Sequence, residues 1–132
     1  MNWKYVKTLT SYNLIDEFER IYNCTLPEEY KNCVQLNNGG RPEKRVFDTE
    51  KSKEREIKSL LSFNKEDKET IWKINEWNKE DLSGKYVAFA IDNYGNLICF
   101  NLNNQIVFID HETGNVEYIC EGFAQFIDSL YE

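Results

Sequence analysis

The stretch from Tyr86 to Cys120, YVAFAIDNYGNLICFNLNNQIVFIDHETGNVEYIC, decides the fold. Four runs rich in β-branched and aromatic residues, Tyr86 to Ile91, Asn96 to Leu102, Gln105 to Asp110 and Val116 to Cys120, predict strands. Between them lie Asp92-Asn93-Tyr94-Gly95, Asn103-Asn104 and Glu112-Thr113-Gly114-Asn115, which supply the Gly, Asn and Asp that tight turns require. Turns this short join antiparallel neighbours, so the stretch predicts a four-stranded meander. Several runs are nearly continuous in apolar residues instead of alternating, which implies that other layers cover much of both faces. Directly afterwards, Phe123, Phe126, Ile127 and Leu130 predict a closing helix that supplies part of that cover.

Upstream, Leu14, Phe18 and Ile21 recur at helical spacing, with Ile15 and Tyr22 widening the stripe and Ser11 or Asn13 placed to cap it. After a break at Asn23 to Thr25, Pro27 stands at a helix start with Glu28 and Glu29 in the first turn, where acids favour the helix dipole. Tyr30, Cys33, Val34 and Asn37 then face inward, and Asn38-Gly39-Gly40 followed by Pro42 ends the helix. Two helices in a short hairpin are expected. The segment from 43 to 81 alternates charge signs densely and holds only short apolar islands, which reads as a peripheral, solvated stretch. Within it, Lys44 to Asp48 and Ile57 to Phe63 suit edge strands, and Ile71, Ile74 and Trp77, or Trp72 on the neighbouring flank, suit a short helix laid on the core.

The chain of 132 residues, 41% hydrophobic and 14% aromatic, matches one α+β domain spanning 1–132, with an antiparallel meander flanked by two N-terminal helices and one C-terminal helix. No apolar run approaches a membrane span, and the N-terminal residues lack the pattern of a secretory signal, so a cytoplasmic protein is expected. Cys24, Cys33, Cys99 and Cys120 form no close pair and, for the most part, lie inside apolar patterns, as free thiols do. With a single histidine besides, no metal and no other cofactor is expected.

Charge is lopsided. From Tyr86 onward there is no Lys or Arg, while Asp92, Asp110, Glu112, Glu117, Glu121, Asp128 and Glu132 put the whole net charge of -7 into this stretch. A surface of one sign repels nucleic acid and anionic membrane and attracts a basic partner.

The order of Leu26-Pro27-Glu28-Glu29-Tyr30, Asn37-Asn38-Gly39-Gly40, Ala88-Phe89-Ala90-Ile91-Asp92, Gly95-Asn96-Leu97-Ile98-Cys99-Phe100, then Ile106 to Glu112 and a Phe-rich closing helix resembles the SUKH superfamily, whose best-known branch is similar to the fungal cell-wall assembly regulator. The resemblance runs from Leu14 to Leu130. It implies an immunity protein that binds and neutralises a polymorphic toxin, many of which are nucleases; the alternative it implies is a non-enzymatic regulatory adaptor. One departure is Glu121-Gly122-Phe123, where the family has Ser before Phe as the helix cap.

Asp92, Tyr94, Asp110, Glu112 and Glu117 are the expected partner-binding residues, with Tyr94 either folded back on the sheet or standing as an aromatic anchor among acids on its turns. Their partner is expected to be a basic protein toxin domain, neither nucleic acid nor membrane. Asp110-His111-Glu112 invites a hydrolase reading, but neighbours on a strand point to opposite faces and no G-x-S-x-G or activated thiol accompanies them, so no catalytic residue is assigned. Gly39-Gly40 closes a helix instead of opening one, which argues against a phosphate loop.

Overall fold

A computed structural model describes all 132 residues. Helices α1 (Asn13–Tyr22) and α2 (Glu28–Asn37) follow a two-residue strand β1 (Trp3–Lys4). The middle of the chain gives β2 (Arg41–Pro42), β3 (Val46–Phe47), β4 (Arg55–Glu56), β5 (Ser59–Leu60), α3 (Ile71–Trp77) and α4 (Lys79–Leu82). The C-terminal third gives β6 (Val87–Ile91), β7 (Leu97–Phe100), β8 (Ile106–Ile109), β9 (Val116–Cys120) and α5 (Phe123–Ser129). The fold is α+β. β5 to β9 form one antiparallel sheet in sequence order, while β1–β2 and β3–β4 are separate small ribbons.

The predicted meander is thus present and gains a fifth strand at its edge. Every residue of β7 and β8 is buried, because layers lie on both faces, as the unbroken apolar runs require. On one face, Tyr30 of α2 packs edge-on against Phe89, Phe100 and Phe123, with ring centroids 5.6, 5.2 and 5.4 Å away. Phe126 of α5 meets Phe47 at 5.5 Å, and Phe47 in turn approaches Phe108. Edge-to-face geometry brings the positive rim of one ring onto the negative face of the next. Phe18 extends the cluster from α1 to Phe63 and Trp72.

Three expectations are corrected. The segment 43–81 is not peripheral, since Phe47, Ile57, Leu60, Leu61, Phe63 and Ile71 are all fully buried; dense charge masked short islands that carry much of the core. On α1 the buried residues are Ile15 and Phe18, and Ile21 is exposed, so the apolar face is rotated toward Ile15, Phe18 and Tyr22, with Leu14 half-buried beside it. On α3, Trp77 is 70% exposed, while Ile71 and Asn75 point inward.

Asn38-Gly39-Gly40 does more than end a helix. Only Gly39 is left-handed, with φ 68°. Asn38 is buried: its Nδ2 donates to the Lys7 carbonyl (2.8 Å) and to Ser62 Oγ (3.0 Å), and its Oδ1 accepts the Phe63 N–H (2.8 Å). One amide therefore ties the N-terminal segment to the strand edge. At Gly40 a Cβ would lie 2.8 Å from the Asn37 carbonyl oxygen, too close for any side chain.

Candidate partner-binding surface

The β6–β7 and β8–β9 turns lie side by side at one end of the sheet. In the first, Asp92 Oδ1 accepts the N–H groups of Tyr94 (2.8 Å) and Asn96 (2.9 Å), and Oδ2 accepts Asn96 Nδ2 (2.8 Å). Asp92 is only 5% exposed. Its carboxylate is spent on holding the turn, as Asx residues do, and the turn so held projects Tyr94, which is 84% exposed.

Asn96 joins the two turns, its Oδ1 accepting the His111 N–H at 2.8 Å. In the second turn, Asp110 Oδ1 accepts the N–H groups of Glu112 (2.8 Å) and Thr113 (3.2 Å), and the left-handed Gly114 closes back onto the Asp110 carbonyl. Glu112 and His111 are exposed. Asp81 of α4 also arrives here, its Oδ1 4.0 Å from the position a Cβ on Gly114 would take. Neither Asp81, Asp110 nor Glu112 is in an ion pair, so their charge is uncompensated at the sheet end.

Glu117 is elsewhere. It lies within β9 opposite Phe108 and is 8% exposed. Its Oε1 accepts the hydroxyls of Thr49 (2.5 Å) and Ser52 (2.9 Å), and its Oε2 is 4.0 Å from Arg55, whose guanidinium lies 4.1 Å from the Phe108 ring centroid. Beside it, the Glu50 N–H donates to the Tyr118 carbonyl while the Tyr118 N–H donates to Glu50 Oε1. Glu117 is thus the anchor by which the loop between β3 and β4 is fixed to the sheet.

Of the five expected contact residues, the structure gathers Tyr94, Asp110 and Glu112 at one end. The expectation that Asp92 and Glu117 present free carboxylates is corrected, because their oxygens are occupied by turn and loop donors. Asp81 is the addition; its place follows from how α4 packs, for which the sequence around it holds no signal. The imidazole of His111 makes no hydrogen bond to a protein group, and the Asp110 oxygen that would orient it serves the turn's own N–H groups.

The thiols are all free. Burial pushes Cys24 up to about 11 and raises Cys33, Cys99 and Cys120, so none carries the lowered value of an activated nucleophile. No group of His, Cys, Asp and Glu is arranged to hold a metal ion, and no helix is long and apolar enough to cross a membrane.

The helices packed on the antiparallel sheet leave an acidic, aromatic-tipped end exposed. The match to the SMI1 / KNR4 family (SUKH-1) covers residues 10–129, and the chain belongs to that family. The SUKH family is associated with immunity proteins, which are generally non-enzymatic. No curated protein matches the chain.

Proposed function

We propose that this chain is a cytoplasmic immunity protein that binds a cognate toxin domain, basic and nuclease-like, and neutralises it by covering its active site. The observation that carries the reading is the sheet end at which Tyr94 stands free among Asp81, Asp110 and Glu112, in a chain that belongs to a family associated with immunity. A rigid aromatic supplies contact area at low entropic cost, and surrounding unpaired carboxylates steer a cationic surface toward it. A domain built to hold nucleic acid is basic, so the same charge that draws it in competes with its substrate. Inhibition by cover needs no proton transfer, which suits an exposed and unoriented His111.

The test is to inspect the genes that neighbour this one for a toxin with a variable C-terminal domain and to co-express that domain with this chain; the absence of such a neighbour would favour the regulatory adaptor. Growth should be restored and the two proteins should elute as one complex. Growth arrest despite full expression of the folded chain would leave the regulatory adaptor as the surviving reading.

A further inference from the structure

The β1–β2 ribbon sets two cations face to face. Lys4 pairs in register with Arg41, and like charges directly opposite one another weaken a ribbon. Neither is in an ion pair. With Tyr5, Pro42, Glu43 and Arg45 they line a pocket of about 170 Å³. Arg41 is held in place there: its Nε donates to the Lys58 carbonyl at 3.0 Å, and its guanidinium carbon lies 5.6 Å from the centroid of the Tyr5 ring, within cation–π range. With Nε spent and the ring alongside, the two terminal nitrogens have no protein partner and present a fixed fork of donors. Tyr5 is 72% exposed and has φ 58°, a left-handed conformation that a bulky side chain rarely adopts. Strain of this kind gathers at ligand-binding positions, and here it accompanies a ring set against Arg41.

The acids nearby leave this fork free. Arg45 is paired with Glu56, its Nη2 3.6 Å away, and Lys58 with Glu69 at 2.9 Å. Glu43 is the one carboxylate that lines the pocket, and it pairs with none of the three cations there. Lys4 and Arg41 therefore outweigh it. The volume is below the roughly 300 to 1,000 Å³ of small-molecule cavities, so the pocket suits one charged group and not a whole cofactor. The net charge of -7 on the chain repels a polyanion such as nucleic acid, which again favours a lone group.

We propose that this pocket binds a single oxyanion group, a carboxylate or a phosphate, with the terminal nitrogens of Arg41 donating to two of its oxygens and Lys4 supplying the second positive charge. The site uses none of the residues at the Tyr94 end, so it stands or falls apart from the toxin-binding reading.

The test is titration of the chain with sodium phosphate, sodium acetate and sodium chloride at one ionic strength, followed by the backbone amide shifts of Tyr5 and Arg41. Phosphate or acetate should move these amides along a saturating curve while chloride does not, and the oxyanion that saturates at the lower concentration names the source of the group. Arg41→Lys keeps the charge and loses the fork, so it should weaken binding by about tenfold or more. Glu43→Gln, which removes the one carboxylate from the pocket, should tighten it. Lys4 is exposed, so Lys4→Gln keeps the fold whatever Arg41→Lys does to it, and it too should weaken binding. Shifts that chloride reproduces, or an affinity that Lys4→Gln and a folded Arg41→Lys both leave within about twofold of wild type, would overturn the proposal. Tighter binding of a short DNA duplex than of either ion would assign this face to nucleic acid and overturn it as well.

Discussion

The side-chain amide of Asn75 exchanges two hydrogen bonds with the backbone of Ala88: Nδ2 donates to the Ala88 carbonyl at 2.9 Å, and the Ala88 N–H donates to Oδ1 at 2.9 Å. β5 pairs with Ala90 and Ile91 and its extension ends at the Phe89 carbonyl, so Ala88 has no strand beside it on that side. Asn75 fills the missing ladder position with a group of the same donor and acceptor geometry as a peptide. Asn75→Ala leaves two buried backbone groups unpaired, at about 1 to 3 kcal/mol each, and should lower unfolding stability by on the order of 2 to 5 kcal/mol. Urea denaturation measures it; a loss below about 0.5 kcal/mol, the size of an ordinary surface change, would mean that water replaces the amide.

Glu117 and Glu112 should separate cleanly although both are acids of the same acidic stretch. Glu117→Lys places a cation beside Arg55 and strands the hydroxyls of Thr49 and Ser52, so it should cost on the order of 3 kcal/mol or more. Glu112→Lys, on an exposed turn, should stay within about 0.5 kcal/mol of wild type. Equal effects in thermal melts would show that the loop between β3 and β4 is not fixed by Glu117.

Tyr30 is fully buried at the centre of the aromatic cluster, and its hydroxyl has no hydrogen-bond partner. Burial first, then the thiols of Cys33 and Cys24, raise its ionisation far above the ordinary tyrosine value. An orphaned buried hydroxyl costs free energy that a phenyl ring does not, so Tyr30→Phe should raise stability by about 1 kcal/mol. Destabilisation of that size would reveal a partner for the hydroxyl, such as a buried water.

Cys24 sets a pH dependence. Burial, with Glu19 adding to it, lifts the thiol from 9.0 to about 11 in the folded chain. The folded state holds this proton more tightly than the unfolded state, so stability is fully present below the ordinary thiol value and is lost as pH rises through about 11. The buried Cys99 and Tyr30 act with the same sign. Denaturation midpoints taken across that window should fall, and Cys24→Ala should fall less steeply than wild type; an unchanged slope would place the thiol in water.

The strands of the C-terminal third were legible because each run is bounded by residues that turns favour, and β9 matches the expected Val116–Cys120. The Gly122-Phe123 departure did not move the last helix, which begins at Phe123 with Gly122 as an extended cap that makes no side-chain bond. The middle segment was harder to read. Its ribbons are two residues long, too short for any period, and its buried Phe47 sits between Arg45 and Asp48 with only Val46 as an apolar neighbour. For the candidate surface, sequence located the two turns but not the fate of each oxygen. Asp92 and Asp110 read alike as turn acids, yet only the folded turns show that Asn96 buries one of them and that Tyr94 is left free.

The most direct test of the central claim is the association rate of the double variant Tyr94→Ser/Glu112→Lys with the toxin domain that the co-expression test identifies as this chain's partner, followed at low ionic strength by stopped flow. Both residues are exposed, so the variant should melt as wild type does. The account predicts association slowed by about tenfold or more, with a weaker dependence on salt, because the patch that steers the encounter has changed sign at its centre. Association as fast and as salt-sensitive as that of wild type would contradict it, and would take the acidic sheet end out of the interface.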